Sequence, residues 1–472
     1  MKKIFYIISF IVLSGFIFSC TEDNLDPTLA QNKDINNKES VNSVSDLQGL
    51  LNGVLNRMTS TYYYGRDFII FGEVRTDNCY ANNKSGRFET AAEMKMGDTD
   101  AYAEDAWTQM YKAIAAANFL IQFENNTSLE GDSKEQAQII GQAYALRALV
   151  HFDLLTLFGQ QHVTSGGNKG IPYVTKYKGN MAPARNTVTE VKTAIYADLT
   201  KALSLMNVTL NSKNPEYITT YGVKGIRARV ALYFEDWAQV LADCNDILNI
   251  TTPVTSTTDA ATFRYPVIAA SDYLYSWSLD AVANSVFELA FSPVDNANIN
   301  GLQYIYRGSS YGDIRVLADL KNIFTTTDIR RNIIGMEGKY ITNLGKYPSA
   351  DYSDNISIIR SEEIVLNRAE ALWRINPSDP EALLTLNLIP AKRNANPYSA
   401  INLDTILLER RKELCFEGFR FNDLARTGKN IPEVDPLKQT HKGPVYGSYN
   451  YAFPIPKVEL NANSKMEQNK GY

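Results

Sequence analysis

Apolar residues recur at helical spacing along most of the chain. The first clear case is 41–58, where Val44, Leu47, Leu51, Val54 and Leu55 fall on one face of a predicted helix. A loop-rich stretch, 59–99, containing Tyr62-Tyr63-Tyr64, separates it from a second helix predicted over 101–123. In that helix Trp107, Tyr111, Ile114 and Asn118 keep rough register, and a run of alanines permits close helix contact. The longest helical pattern runs over 133–158, from a serine cap with Gln136 three residues on, to Gly159. From Ala143 onward it is apolar nearly all round, which predicts burial between neighbouring helices. Arg147, His151 and Asp153 interrupt it. A lone histidine on a buried helix is read here as a hydrogen-bonded core residue, not as a base.

Further helices are predicted over 188–205, 221–234, 236–249, 361–374, 381–392 and 403–417. They come as pairs joined by short polar turns, with small residues (Ala228, Ala231, Ala238, Ala242, Ala369, Ala371) where helices would cross. Paired helices of this size point to a tetratricopeptide-like superhelix. Between 251 and 357 the pattern changes: Gly, Asn, Ser, Thr and Tyr dominate, and only short runs such as 286–291 look strand-like. About a hundred residues of irregular chain inside a compact protein usually carry function. The expected fold is therefore mainly α, a helix-pair superhelix with a loop-rich, irregular ligand-binding region.

Composition narrows the chemistry. The formal net charge of −5 and the lack of a long Lys/Arg tract argue against nucleic acid as a partner. With 28 Tyr, 20 Phe and 4 Trp against 3 His, aromatic surfaces outnumber imidazoles, although most of these rings must fill the core. Lys2 and Lys3 precede the apolar run 4–18, which is too short to span a bilayer and reads as a secretory signal over 1–19. Cys20, directly after Ser19, looks like the acylated first residue of a bacterial lipoprotein, and the acidic, polar stretch 20–40 looks like its tether. The remaining Cys79, Cys244 and Cys415 are odd in number and widely spaced, so neither a disulfide framework nor a zinc site is expected, and no cofactor or metal is assigned.

Two constellations compete for function. In the alternating run Tyr273-Leu274-Tyr275-Ser276-Trp277, an extended chain would put all three aromatics on one side. With Tyr304, Tyr306 and Tyr80, or the 62–64 tyrosines, these are the candidate ligand contacts; the alternative is that the rings pack on the helices beneath. The second is Glu413 and Glu417 in ERRKELCFEGFRFNDLARTG, 409–428, four residues apart and so on one helical face, as a glycosidase pair would require. They sit among Arg410, Arg411, Lys412 and Arg420, where ion pairing is the ordinary outcome, with Gly418 as a helix cap. No GxSxG, HExxH or P-loop occurs, and the chain is read as a non-enzyme.

Four segments then carry a family resemblance: AYALRALVHFDLLTLFG at 143–159, IRSEEIVLNRAEAL at 359–372, the 409–428 run, and YAFPIPKVELNANSKMEQNKGY at 451–472. Together with the leader they resemble the SusD/RagB family of outer-membrane nutrient-binding lipoproteins. The resemblance implies an N-terminal helical region over 41–250, the loop-rich insertion 251–357, and a C-terminal helical region over 358–472. It further implies a lipid-anchored protein on the surface of a Gram-negative cell that captures an oligosaccharide and delivers it to a SusC-type TonB-dependent transporter. A peptide-binding, RagB-like role is the alternative within the family.

Overall fold

The computed structural model describes residues 40–178, 181–307 and 311–472. Cys20, the signal segment and the tether up to residue 39 lie outside the described residues. Eleven described helices of seven residues or more are labelled in chain order: α1 Val44–Met58, α2 Asp67–Val74, α3 Ala101–Ile121, α4 Ser133–Phe158, α5 Val188–Leu205, α6 Thr220–Tyr233, α7 Trp237–Leu248, α8 Ser361–Ile375, α9 Pro380–Ala391, α10 Leu403–Leu414 and α11 Arg420–Arg426. The pairs α3–α4, α4–α5, α6–α7 and α8–α9 pack against each other, and α7 packs against α8 across the 251–357 insertion. The fold is a tetratricopeptide-like stack of helix pairs, as the periodicity implied. Among the described residues no helix is long and apolar enough to cross a membrane.

The caps show why the helices begin where they do. Ser43 accepts from the Asp46 amide while Asp46 accepts from the Ser43 amide, a reciprocal capping box. On α4 the cap is Asp132, which accepts from the Lys134 amide at 2.8 Å, and not Ser133 as the spacing suggested. The central part of α4 is buried all round. There the His151 Nδ1–H donates to the Arg147 carbonyl at 2.8 Å and Nε2 accepts from the Val174 amide at 3.0 Å, with the ring stacked 3.8 Å from Tyr173. Burial drives its pKa down to about 3, so His151 is a neutral core staple.

Two local expectations are corrected. The stretch 59–99 contains α2, whose sequence DFIIFGEV is apolar on every side and shows no amphipathic period to reveal it. The helix expected over 403–417 stops at Leu414, because Cys415 turns to extended geometry and Phe416 and Gly418 take φ of +69° and +85°. The tight turn lets α2 cross directly over it. A Cβ on Gly72 would lie 2.1 Å from the Gly418 carbonyl oxygen, so both glycines are needed for the approach.

The 251–357 region is tied together by short antiparallel ladders: β1 Cys79–Ala81 with β3 Ile314–Val316, β2 Ser285–Leu289 with β6 Ile356–Arg360, and β4 Ile334–Glu337 with β5 Tyr340–Asn343. Strand β1 thus stitches the amino-terminal loop to the insertion, and β6 runs directly into α8. Cys79, Cys244 and Cys415 are buried free thiols.

Candidate functional site

Glu413 lies at the end of α10 and Glu417 in the turn beyond it, so the two do not share a helical face; both point inward with Glu409 into a closed lattice. Glu413 accepts from Arg393 Nε and Nη2 at 3.0 and 2.9 Å, from Arg360 Nη1 at 2.9 Å and from Arg330 Nη1 at 3.1 Å. Glu417 accepts from Arg360 Nε at 2.8 Å and Lys346 Nζ at 2.5 Å, and Glu409 from Arg330 at 2.6 Å. Burial alone would favour the neutral acid, yet Arg393, Arg360 and Arg330 outweigh it and hold the Glu413 carboxyl well below the usual carboxylate range. A group so strongly ionised cannot act as a general acid, and its full burial excludes a substrate. The carboxylates that looked catalytic are a structural lattice.

The aromatic candidates divide. Residues 273–276 form a helical turn, not an extended run, so positions two apart point about 200° away from each other. Tyr273 is accordingly 2% exposed beneath the Arg393 guanidinium, 4.4 Å from its ring, while Tyr275 is 67% exposed. Trp277 is half-buried with Lys346 Nζ 4.5 Å from its ring. Tyr306 is fully buried against Phe416, and Tyr80 is half-buried on β1 with Lys438 Nζ 5.7 Å from its ring. Of the 62–64 run, Tyr63 and Tyr64 point inward and donate to Asp153 at 2.5 and 2.7 Å. Tyr273 and Tyr306 therefore leave the list of ligand contacts, because their ring faces are already covered by protein.

Tyr304 has a different setting. The short helix Leu302–Arg307 buries Leu302, Ile305 and Tyr306 on one side, which leaves Gln303 and Tyr304 half-exposed on the other. Arg307 anchors its end by donating to the Asn343 carbonyl at 3.1 Å and to the Tyr347 carbonyl. The Tyr304 ring lies 5.9 Å from Tyr311 and 6.2 Å from Tyr352, at 63° and 67°, so three half-buried rings form a continuous arc.

Each end of the arc is held from elsewhere in the chain. The loop after β1 is pinned to the Tyr311 segment: Asn82 Nδ2 donates to the Gly312 carbonyl at 2.9 Å, and the Ser85 amide and hydroxyl donate to Asp313 at 3.1 and 2.5 Å. This places the Arg87 guanidinium 4.0 Å from the Tyr311 centroid, with Nη2 donating to Asn300 Oδ1 at 3.1 Å. At the other end Tyr352 takes φ of +65° in a turn closed by the Ser349 amide, which donates to both Asp354 oxygens at 3.0 and 2.9 Å. Asp354 lines a hollow of about 20 Å³ beside Tyr352, and burial raises its pKa to about 7. The Asn296 side chain reaches across from loop 292–300 to the Asp351 carbonyl at 3.3 Å, which brings several amides beside the rings.

Chemically the arc offers apolar ring faces bordered by amides and a fixed guanidinium. Among the described residues no group of three or more His, Cys, Asp or Glu could hold a metal ion. Of the predicted contacts, the structure gathers Tyr304 into this arc. Tyr311, Tyr352, Arg87 and Asn300 lie outside the predicted set. Arg87 and Tyr352 are remote in sequence and carry no local signal.

Comparisons with known proteins converge on one family. A family model described as "Starch-binding associating with outer membrane" matches residues 29–232, and the "SusD family" model matches 325–472. SusD-like protein P2 of Formosa agariphila is 24% identical over an alignment of 521 residues that covers 100% of both chains. A crystal structure of a SusD superfamily protein from Bacteroides thetaiotaomicron superposes with a TM-score of 0.81 at 25% identity, covering 90% of this chain and 99% of that one. A laminarin-binding SusD-like protein gives a TM-score of 0.74 at 20% identity, covering 91% and 100%.

Proposed function

Because the chain belongs to the SusD/RagB family, we propose that it binds a glycan at the cell surface through the Tyr304–Tyr311–Tyr352 arc and passes it, chemically unchanged, to a TonB-dependent transporter of the SusC type. The observation that carries this reading is the arc itself, three part-exposed rings at 5.9 and 6.2 Å spacing. Sugar rings present apolar C–H faces that such rings cover, while the Asn296 to Asn300 loop and the tyrosine hydroxyls meet the hydroxyl groups. Arg87 and the β1–β3 ladder fix the geometry before the ligand arrives, which lowers the ordering cost of binding. Relatives support the ligand class: one model that matches is named for starch binding, and one structural neighbour is a laminarin-binding protein.

Anchoring through Cys20 and residence on the outer membrane belong to the same reading. Cys20→Ala should release the protein from the membrane fraction, and a tagged full-length chain should co-purify with a TonB-dependent transporter.

Binding is tested by screening purified residues 21–472 against an array of glycans and peptides, with chromatography for products. Saturable glycan binding without turnover is the expected result. Hydrolysis would overturn the reading, and binding of peptides alone would replace it with the RagB-like role.

A further inference from the structure

Beyond the arc, the surface continues into a trough. The hollow beside Tyr352 shares Phe291 and Ala297 with an open space of about 300 Å³ at the carboxyl end of α1. That space shares Asn56, Thr59 and Asp295 with a further one of about 180 Å³ that reaches Asn52 and Tyr217. The common wall of the two spaces is the contact of Asn56 Nδ2 with Asp295 Oδ2 at 3.4 Å. The hollow at the arc, by contrast, has only about 20 Å³, so the arc receives a ring on its face while the trough has room for more of a ligand.

The lining also specifies chemistry. Half-buried Phe291 and Tyr217 give the trough apolar stations, and Asn52, Asn56 and Gln109 give it amides that pair with hydroxyls. Its charged side chains are Glu216 and Asp295 against Arg57. A surface with more carboxylate than cation disfavours sulfated or uronic chains and suits a neutral one.

We infer that the site takes a linear, neutral oligosaccharide long enough to leave the tyrosine arc, cross Phe291 and lie along the end of α1. The inference rests on the glycan-binding reading above and adds to it a direction, a minimum extent and a charge preference. Affinity then grows with chain length until the trough is filled, because each added sugar finds further stacking and hydrogen-bonding partners without a second association cost.

The test is calorimetry with two length series, maltose to maltoheptaose and laminaribiose to laminariheptaose, beside an array that carries neutral and acidic glycans. The wild-type protein should gain about tenfold in affinity from the shortest to the longest member of a series it binds. The double variant Asn52→Ala, Asn56→Ala changes two exposed positions on α1 to the best helix former and should fold normally. It should lose most of the long-chain advantage while binding the shortest member as before, whereas Tyr304→Ala should weaken every length. Equal affinity at all lengths, a double variant indistinguishable from wild type on the longest chains, or preference for acidic glycans would overturn the inference while leaving glycan binding at the arc intact. Absence of binding to any glycan would overturn both.

Discussion

The lattice beneath α10 and the arc on the insertion use the two kinds of residue that most readily suggest function, clustered charge and clustered aromatics, and they face opposite ways. Around Glu413 the guanidinium groups of Arg330, Arg360 and Arg393 lie within 3.1 Å, every one of them buried. Around Tyr304 the neighbouring rings are about 6 Å away and half-open to solvent. Charge that is fully paired inside the protein has no capacity left for a ligand, so its role is to register α10 against β6 and the α9 end. Rings that stay part-exposed at the surface keep area for a ligand to cover. What separates the two regions is what already covers the side chains, not which residue types they use.

The largest effect should come from removing the centre of the lattice. Glu413→Ala leaves three buried guanidinium groups short of a partner and should cost about 3–5 kcal/mol, read by chemical denaturation. A variant that unfolds at the wild-type midpoint would show that the lattice contributes nothing to holding the fold.

Asp153 sharpens the contrast, since tyrosine hydroxyls and not arginine pairs hold this buried carboxyl. Burial raises its pKa to about 6, above the unfolded value near 4. Its proton therefore stabilises the fold fully below about pH 4, and that contribution is lost as the pH rises through about 6. Glu413, with its depressed pKa, behaves oppositely: its contribution is present above the unfolded value and is lost on acidification. Asp153→Asn should flatten the pH dependence between about 4 and 6, leaving the part due to buried Asp67, whose pKa burial also raises to about 6, and gain on the order of 2 kcal/mol at neutral pH, measured by thermal melts across that range. An unchanged profile would show that Asp153 is not the titrating group.

Tyr304→Ala should lower glycan affinity about tenfold, roughly 1.4 kcal/mol, while costing less in stability than Glu413→Ala. The reverse pattern, a melted protein with intact affinity, would make the arc structural. The smallest effect is expected for Tyr273→Phe, whose hydroxyl is buried without a hydrogen-bond partner. Removing it should leave binding unchanged and stability within about 0.5 kcal/mol or slightly raised. A clear loss of affinity would return Tyr273 to the site.

Much of the scaffold was legible because helix periodicity is local: α3, α4, α5 and α8 begin and end within about two residues of where the apolar spacing put them. Helix α2 was not, since a segment buried on every side has no amphipathic pattern to read. The site was legible in kind only. Tyr304, Tyr273 and Tyr306 read alike in the sequence, because aromatic identity does not record whether a ring is part-exposed or covered by Arg393 or Phe416. Arg87 and Tyr352 escaped because their partners are more than two hundred residues, and about fifty residues, away in the chain.

By itself the sequence determined the helix-pair scaffold, the irregular insertion, the pairing tendency of the 409–428 charges and the family. Each of these is written in spacings of a few residues or in contiguous motifs. Only the tertiary structure decided that the glutamates close into a lattice, that residues 273–276 turn helical and bury Tyr273, and that Arg87, Tyr304, Tyr311 and Tyr352 form one arc. Burial and ring exposure depend on which distant segments cover a side chain, and that information exists only once the chain has folded.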